Sequence, residues 1–345
     1  MEEMVNETTN EIISEPINEV EYVPIRNEYP RSLGEFIGNT YGKKQLSILV
    51  NNFFKFNRPV PNILFYGGPG LGKTTLAQIC ANELKFSNFV YFIGSQLTQE
   101  LLNNILIKLT PNNIIFIDEI HALDKKLFEV LYPIVQDKKY KTDIILKNKK
   151  GQVIYKALID STLPTNTVII GATTDLSIVP KPLIDRFNYR INLVPYTAKE
   201  IFKIIKNFNL EYGIKDGIEV DDLAIHLLTD ISQGVPRIAK NYYMQSLDLV
   251  ISEETHFILY ETIKKIMKLN RVNHIGLDAI QQQYLKYLKT KTTPVGIAGI
   301  SAAIGYPQKD IEILVEPYLL QKEIVLRTPR GRIISDVGRQ IRLTI

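Results

Sequence analysis

No disulfide can form within this chain, because its 345 residues include a single cysteine, Cys80. Cys80 lies in a stretch of helical apolar spacing, where packing is the ordinary role of a free thiol and catalysis the alternative. Apolar runs are short, and none approaches the ~20 residues that span a bilayer. Positive charge is missing from the start: residues 1–25 hold seven glutamates and neither lysine nor arginine, which excludes the basic region of a secretory leader. A cytoplasmic protein with no membrane partner is expected. Residues 1–23 also have little apolar periodicity and read as a disordered acidic tail.

What is present suits a multidomain globular protein, since 45% of the residues are hydrophobic and the length allows two or three cores. The net charge of +4 is small but unevenly placed. Residues 271–345 carry eleven Lys and Arg against six Asp and Glu, so the C-terminal end is where a polyanion would bind.

The organising stretch is Gly67-Gly68-Pro69-Gly70-Leu71-Gly72-Lys73-Thr74-Thr75. An apolar run, residues 62–66, precedes it, and residues 76–84 follow with helical spacing, so the context is strand, glycine loop, helix. Glycines such as Gly70 and Gly72 let backbone N–H groups turn toward phosphates, the helix N-terminus adds a positive dipole end, Lys73 supplies a point charge, and Thr74 can ligate Mg²⁺. Thr75 belongs to the same first turn. A glycine turn with an incidental lysine is the bland alternative.

Residues 88–93 read as a second strand, and residues 114–119 as a third that is apolar along its length, as in a strand buried on both faces. The third strand ends in Asp118 and Glu119, about 45 residues after the loop. In a phosphate-loop enzyme that position holds the Mg²⁺ shell (Asp118) and orients the attacking water (Glu119); helix capping by Asp118 is the alternative. Two β-rich runs around Asn148-Lys149-Lys150-Gly151 then predict a hairpin over about 141–160, an insertion of the kind that serves contacts. Residues 167–172 form a fourth buried strand ending in Thr173 and Thr174, at the sheet edge that carries Lys73 and Asp118, and Arg186 follows in the segment Pro182-Leu183-Ile184-Asp185-Arg186-Phe187.

From 197 to about 269 the text is helical, broken at Gly234-Val235-Pro236, after which Arg237 falls in the first turn of a new helix. The last segment reads helix, helix, helix, hairpin, the order of a winged helix, with Arg327, Arg330 and Arg332 around the turn of the hairpin. In that context the three arginines are candidates for DNA phosphates, whereas an isolated basic turn would be a solvated one.

From about Tyr29 to its end the chain resembles the RuvB family of AAA+ motors, which drive branch migration of Holliday junctions. The matching blocks are GGPGLGKTTLA, FIDEIHAL, IGATT, PLIDRF, GVPRIA and EPYLLQKEIVLRTPRGRI, and the last of these is absent from generic AAA+ proteins. The resemblance implies an α/β AAA+ domain with a parallel sheet over 24–196, a helical lid over 197–270 and a winged-helix domain over 271–345. It further implies ATP and Mg²⁺, a homo-oligomeric ring, expected to be a hexamer, and double-stranded DNA at four-way junctions. A RuvA-like junction-binding protein would dock through the inserted hairpin. By the same resemblance Thr174 is the first sensor, Arg186 a finger into the neighbouring protomer's site and Arg237, on the lid, the second sensor, which reads the γ-phosphate. Tyr196 lies near the nucleotide, and Arg327 and Arg332 lie on DNA. Where the family carries arginine, this chain has Ala122 and Ile184, and Tyr29-Pro30 stands where it has Arg-Pro. A clamp-loader or replication-initiation ATPase, and a nucleotide-switched DNA-binding scaffold, are the competing readings.

Overall fold

Five parallel strands carry the first half of the chain, in the order β2 (Asn88–Ile93), β3 (Asn113–Asp118), β6 (Thr167–Thr173), β1 (Ile63–Tyr66) and β7 (Tyr189–Asn192). The central strands β3 and β6 are buried almost throughout, as their unbroken apolar text predicts. Helices α1 (Thr40–Phe56), α2 (Lys73–Leu84), α3 (Gln99–Lys108), α4 (Lys125–Asp137) and the single turn α5 (Lys181–Ile184) complete this part of the chain. One core cluster joins Leu64, Ile115, Ile117 and Ile169 of the sheet to Leu131, Leu183 and Phe187 outside it. The computed structural model describes residues 30–86, 88–147 and 153–344; the acidic tail, Tyr29 and the hairpin tip at Asn148-Lys149-Lys150-Gly151 lie outside them.

At the amino ends of these strands, polar side chains do the joining. Asn62 accepts from the Ile169 N–H at 2.9 Å and donates to the Val135 carbonyl at 2.6 Å. Lys138 donates to the Asn62 side chain and, at 2.9 Å, to the Thr167 carbonyl. Burial lowers its ammonium to about 8. The inserted hairpin, β4 (Lys139–Lys147) against β5 (Val153–Thr162), starts directly from Lys138, so its root is tied to the sheet.

The described residues divide into two compact units, one of residues 30–36 with residues from Thr40 to Leu193, the other of Ile37–Asn39 with residues 194–344. In the second unit, α6 (Ala198–Glu211) opens with a capping box between Thr197 and Glu200. The pair β8 (Glu219–Val220) and β9 (Phe257–Ile258), with α7 (Asp222–Ile231), α8 (Pro236–Ser252) and α9 (Tyr260–Leu269), follows. Then come α10 (Ala279–Lys289), α11 (Ile297–Ile304) and a helical run from α12 (Gln308–Asp310) through a π turn, Ile311–Val315, into α13 (Glu316–Gln321). The hairpin of β10 (Val325–Thr328) and β11 (Gly331–Ile334) and a short α14 (Asp336–Gln340) complete a winged helix. Its core gathers Leu277, Tyr284, Leu285, Ile300, Leu319 and Val325.

Candidate active site

The phosphate loop is shaped by backbone that only glycine adopts easily: Gly67, Gly70 and Gly72 have φ of +139°, +74° and +99°. At Gly67 a Cβ would stand 2.2 Å from the Leu193 carbonyl oxygen, so no side chain fits. Gly72 caps α2 without any side-chain hydrogen bond to the first turn, which leaves those N–H groups for a ligand. Lys73, only 6% exposed, donates through Nζ to the carbonyls of Gly67 and Gly68, each at 2.9 Å. The ammonium is therefore held across the mouth of the loop, where a phosphate would meet it.

Thr74 and Asp118, 44 positions apart, meet at the end of β3, with Thr74 Oγ1 donating to Asp118 Oδ2 at 2.8 Å. A hydroxyl and one carboxylate are the protein share of a typical Mg²⁺ site, the rest being water and phosphate oxygen. Among the described residues no group of three or more His, Cys, Asp and Glu could hold a metal alone. The donor set fits a hard cation that arrives with a nucleotide. Thr75 follows, half-buried in the same helical turn.

Glu119 leaves β3 in the left-handed region, at φ 49°. Its Oε2 accepts from Thr174, the hydroxyl at 3.0 Å and the N–H at 3.4 Å. The structure thus brings Lys73, Thr74, Asp118, Glu119 and Thr174 to one sheet edge. Two further residues join them: His121, to which the sequence assigned no role, and Thr173, which it placed at this edge without one. His121 Nδ1 is 3.1 Å from Glu119 Oε2 and 3.0 Å from the hydroxyl of Thr173, which is fully buried. The signal was visible in the sequence: His121 follows Glu119 by two positions, and Thr173 precedes the threonine that was singled out.

Arg186 is engaged elsewhere. Its guanidinium carbon lies 4.7 Å from the centre of the Tyr132 ring, Nη1 donates to the Pro182 carbonyl, and Nε is buried with no hydrogen-bond partner among the described residues. Its neighbour Ile184 packs against the apolar core, which an arginine there could not do as cheaply. Tyr196 and Arg237 belong to the second unit. Burial pushes the Tyr196 phenol up to about 12, with a hydrogen bond to Asn39 acting the other way. The Tyr196 N–H donates to the Gly234 carbonyl at 2.8 Å, in the turn that leads to α8, where Arg237 is exposed in the first helical turn.

The wing holds its three arginines in different settings. Arg327 and Arg332 stand directly opposite one another on β10 and β11, hence on one face. Arg330 is exposed at the turn and Arg327 is 59% exposed along its side chain, as phosphate contacts require. Arg332 is not: its side chain is 7% exposed, and it donates to both oxygens of Glu316, at 2.7 and 3.1 Å, and to Glu312 at 2.7 Å. Glu316, itself 1% exposed, is thus paired with Arg332 inside the domain, the setting in which the Arg332 expected on DNA is found. Tyr284 completes the cluster by donating to Glu316 at 2.8 Å, and burial followed by the Glu316 charge raises its phenol well above the ordinary range. Glu312 Oε1 also accepts from Arg327 at 3.1 Å.

Comparison with known proteins meets this geometry from outside. Family models described as the Holliday junction DNA helicase RuvB P-loop domain and the RuvB C-terminal winged helix domain match residues 28–193 and 274–341. Proteins named Holliday junction branch migration complex subunit RuvB are similar along most of their length. That of Mycoplasmopsis pulmonis is 33% identical over 90% of this chain and 95% of its own, and that of Rickettsia africae 35% identical over 95% and 92%. The solved Thermotoga maritima RuvB Holliday junction branch migration motor superposes with a TM-score of 0.74 at 32% identity, covering 90% of this chain and 96% of that one.

Proposed function

The chain belongs to the RuvB family of Holliday junction DNA helicases, and from that membership we propose an ATP-driven motor that moves double-stranded DNA through four-way junctions. The observation that carries the hydrolytic half is the meeting of Thr74 with Asp118 beside Glu119 and Thr174. In this reading Lys73 and the loop N–H groups, with Gly70, Gly72 and Thr75, bind the nucleotide phosphates. Thr74 and Asp118 hold Mg²⁺, which supplies charge neutralisation at the transferred phosphoryl group. Glu119 aims the water, Thr174 is the first sensor, and the second unit's Tyr196 and Arg237 are by family membership its candidates for the nucleotide, Arg237 as the second sensor. Arg186 acts as a finger in a neighbouring protomer, which ties hydrolysis to assembly of a ring, expected to be hexameric. Its stacking on Tyr132 is a resting place from which a guanidinium can be drawn by phosphate charge.

Arg327, Arg330 and Arg332 take DNA phosphates, Arg332 from a position braced by Glu316, and the β4–β5 hairpin docks a RuvA-like protein. No helix among the described residues is long and apolar enough to cross a membrane, and a cytoplasmic site of action suits a DNA motor. Branch migration of a synthetic four-way junction, with and without the cognate junction-binding protein, is the direct test. Arg186→Ala is expected to bind ATP and lose on the order of a thousandfold in turnover. Mixing it with Lys73→Ala is expected to restore part of the activity, because each variant lends what the other lacks. An absence of rescue at matched ring assembly sinks the shared site.

A further inference from the structure

Glu119 uses its two carboxylate oxygens unequally. Oε2 is approached by three groups: the Thr174 hydroxyl at 3.0 Å, the Thr174 N–H at 3.4 Å and His121 Nδ1 at 3.1 Å. Among the described residues nothing is hydrogen-bonded to Oε1. An ionised carboxylate only accepts, so the imidazole must present a proton on Nδ1. With Nδ1 bare, two lone pairs would face each other at that distance. The Thr173 hydroxyl supports the same tautomer: it donates to the Asp175 carbonyl at 3.0 Å and accepts from the Asp175 N–H at 3.1 Å. Its proton is committed there, and its remaining lone pair is free to accept from Nδ1 at 3.0 Å.

We propose that His121 is a positioning residue for Glu119: its Nδ1–H, anchored on Thr173, holds Oε2 and leaves Oε1 as the oxygen that takes the attacking water. The proposal rests on the hydrolytic reading above and adds a residue to it. Thr173 is fully buried at the end of β6, and His121 sits on the tight turn Ile120–Ala122 that directly follows Glu119. The ring therefore ties a side chain on a left-handed residue to a rigid neighbouring strand. Thr174 is the donor that a γ-phosphate would draw away; His121, held by Thr173, keeps the carboxylate aimed when Thr174 turns.

Stereochemistry supplies the test. The amide nitrogen of asparagine is as many bonds from the backbone as Nδ1, whereas that of glutamine corresponds to Nε2. His121→Asn is expected to keep ATP turnover within about threefold of the parent, while His121→Gln and His121→Leu lose about 10- to 100-fold in kcat with KM and ATP affinity unchanged, the usual cost of removing an orienting partner. Equal turnover in the Asn and Gln variants, at either level, overturns the proposal, as does an undiminished His121→Leu. Glu119→Gln is measured alongside. If it hydrolyses ATP normally, the hydrolytic reading falls and this inference with it. If it is inactive while His121→Leu is not, only this inference falls. Thermal unfolding of each variant separates loss of aim from loss of fold, and the Asn and Gln pair decides the matter even where Leu impairs folding.

Discussion

Two regions of this molecule are proposed to meet phosphate, and their side chains are arranged by opposite means. The loop at residues 67–75 uses backbone and one buried ammonium: Lys73 is 6% exposed, and its place is set by carbonyls of the loop itself. The wing uses guanidinium groups on a two-stranded hairpin, one of them, Arg327, more than half exposed. The difference follows from what each must do. A catalytic site gains from groups that need no rearrangement when charge develops, so it is dry and preorganised. A surface that slides along a polyanion gains from charges that solvent and salt can reach, because counterion release drives binding and lets it be undone. The wing nonetheless contains a small copy of the first strategy, in which Arg332 and Glu316 form a buried pair that stiffens the hairpin on which Arg327 works.

Several measurements would break or sharpen that contrast. Removing one member of a buried pair leaves the other charge stranded, so Glu316→Ala is expected to destabilise the second unit by about 3–5 kcal/mol in denaturant unfolding. A loss below 1 kcal/mol would mean that the pair is wet and the copy illusory. Lys73→Ala is expected to lower ATP turnover roughly 10²- to 10³-fold, the typical cost of deleting one preorganised charge-stabilising group, with little change in DNA affinity. Arg327→Ala and Arg330→Ala should each reduce the slope of log affinity for duplex DNA against log salt by about 0.9. A slope that stays put in both variants would take the wing off the DNA. The smallest effect concerns Glu312, which accepts from Arg327 at a half-exposed position and so would compete with a DNA phosphate for it in the proposed reading. Glu312→Gln is expected to tighten duplex binding by up to about fivefold at low salt, because exposed pairs are worth little. That gain should vanish in the Arg327→Ala background and be absent in Glu323→Gln, which removes an exposed charge without touching the wing arginines.

Much of this was readable from residue order. Glycines before Lys73, two acids closing an apolar run at Asp118, and helices followed by a basic hairpin are local patterns, and each dictates a local element whose position on the sheet edge or at the wing then follows from parallel topology. Pairings between distant positions were not readable. Nothing near Arg332 in the chain announces that Glu312, Glu316 and Tyr284 will close around it, and its neighbours Arg327 and Arg330 look the same in the text. Tyr132 under Arg186 and Thr173 behind His121 are likewise 54 and 52 positions away from their partners. The assignment of Ile37–Asn39 to the second unit, away from the helix they precede, is equally invisible in a one-dimensional reading.

The sequence alone determined that this chain binds a nucleotide on a glycine loop, has acids where a phosphoryl-transfer enzyme needs them, and ends in a basic wing. Residue type and spacing suffice for that, because backbone geometry and periodicity act over a few positions. Tertiary structure alone decided which arginine of the wing is exposed and which is buried against Glu316, and which oxygen of Glu119 meets Thr174 and His121. Those outcomes depend on burial and on donors brought from other strands, and the free energy of a charge is set by what surrounds it in space.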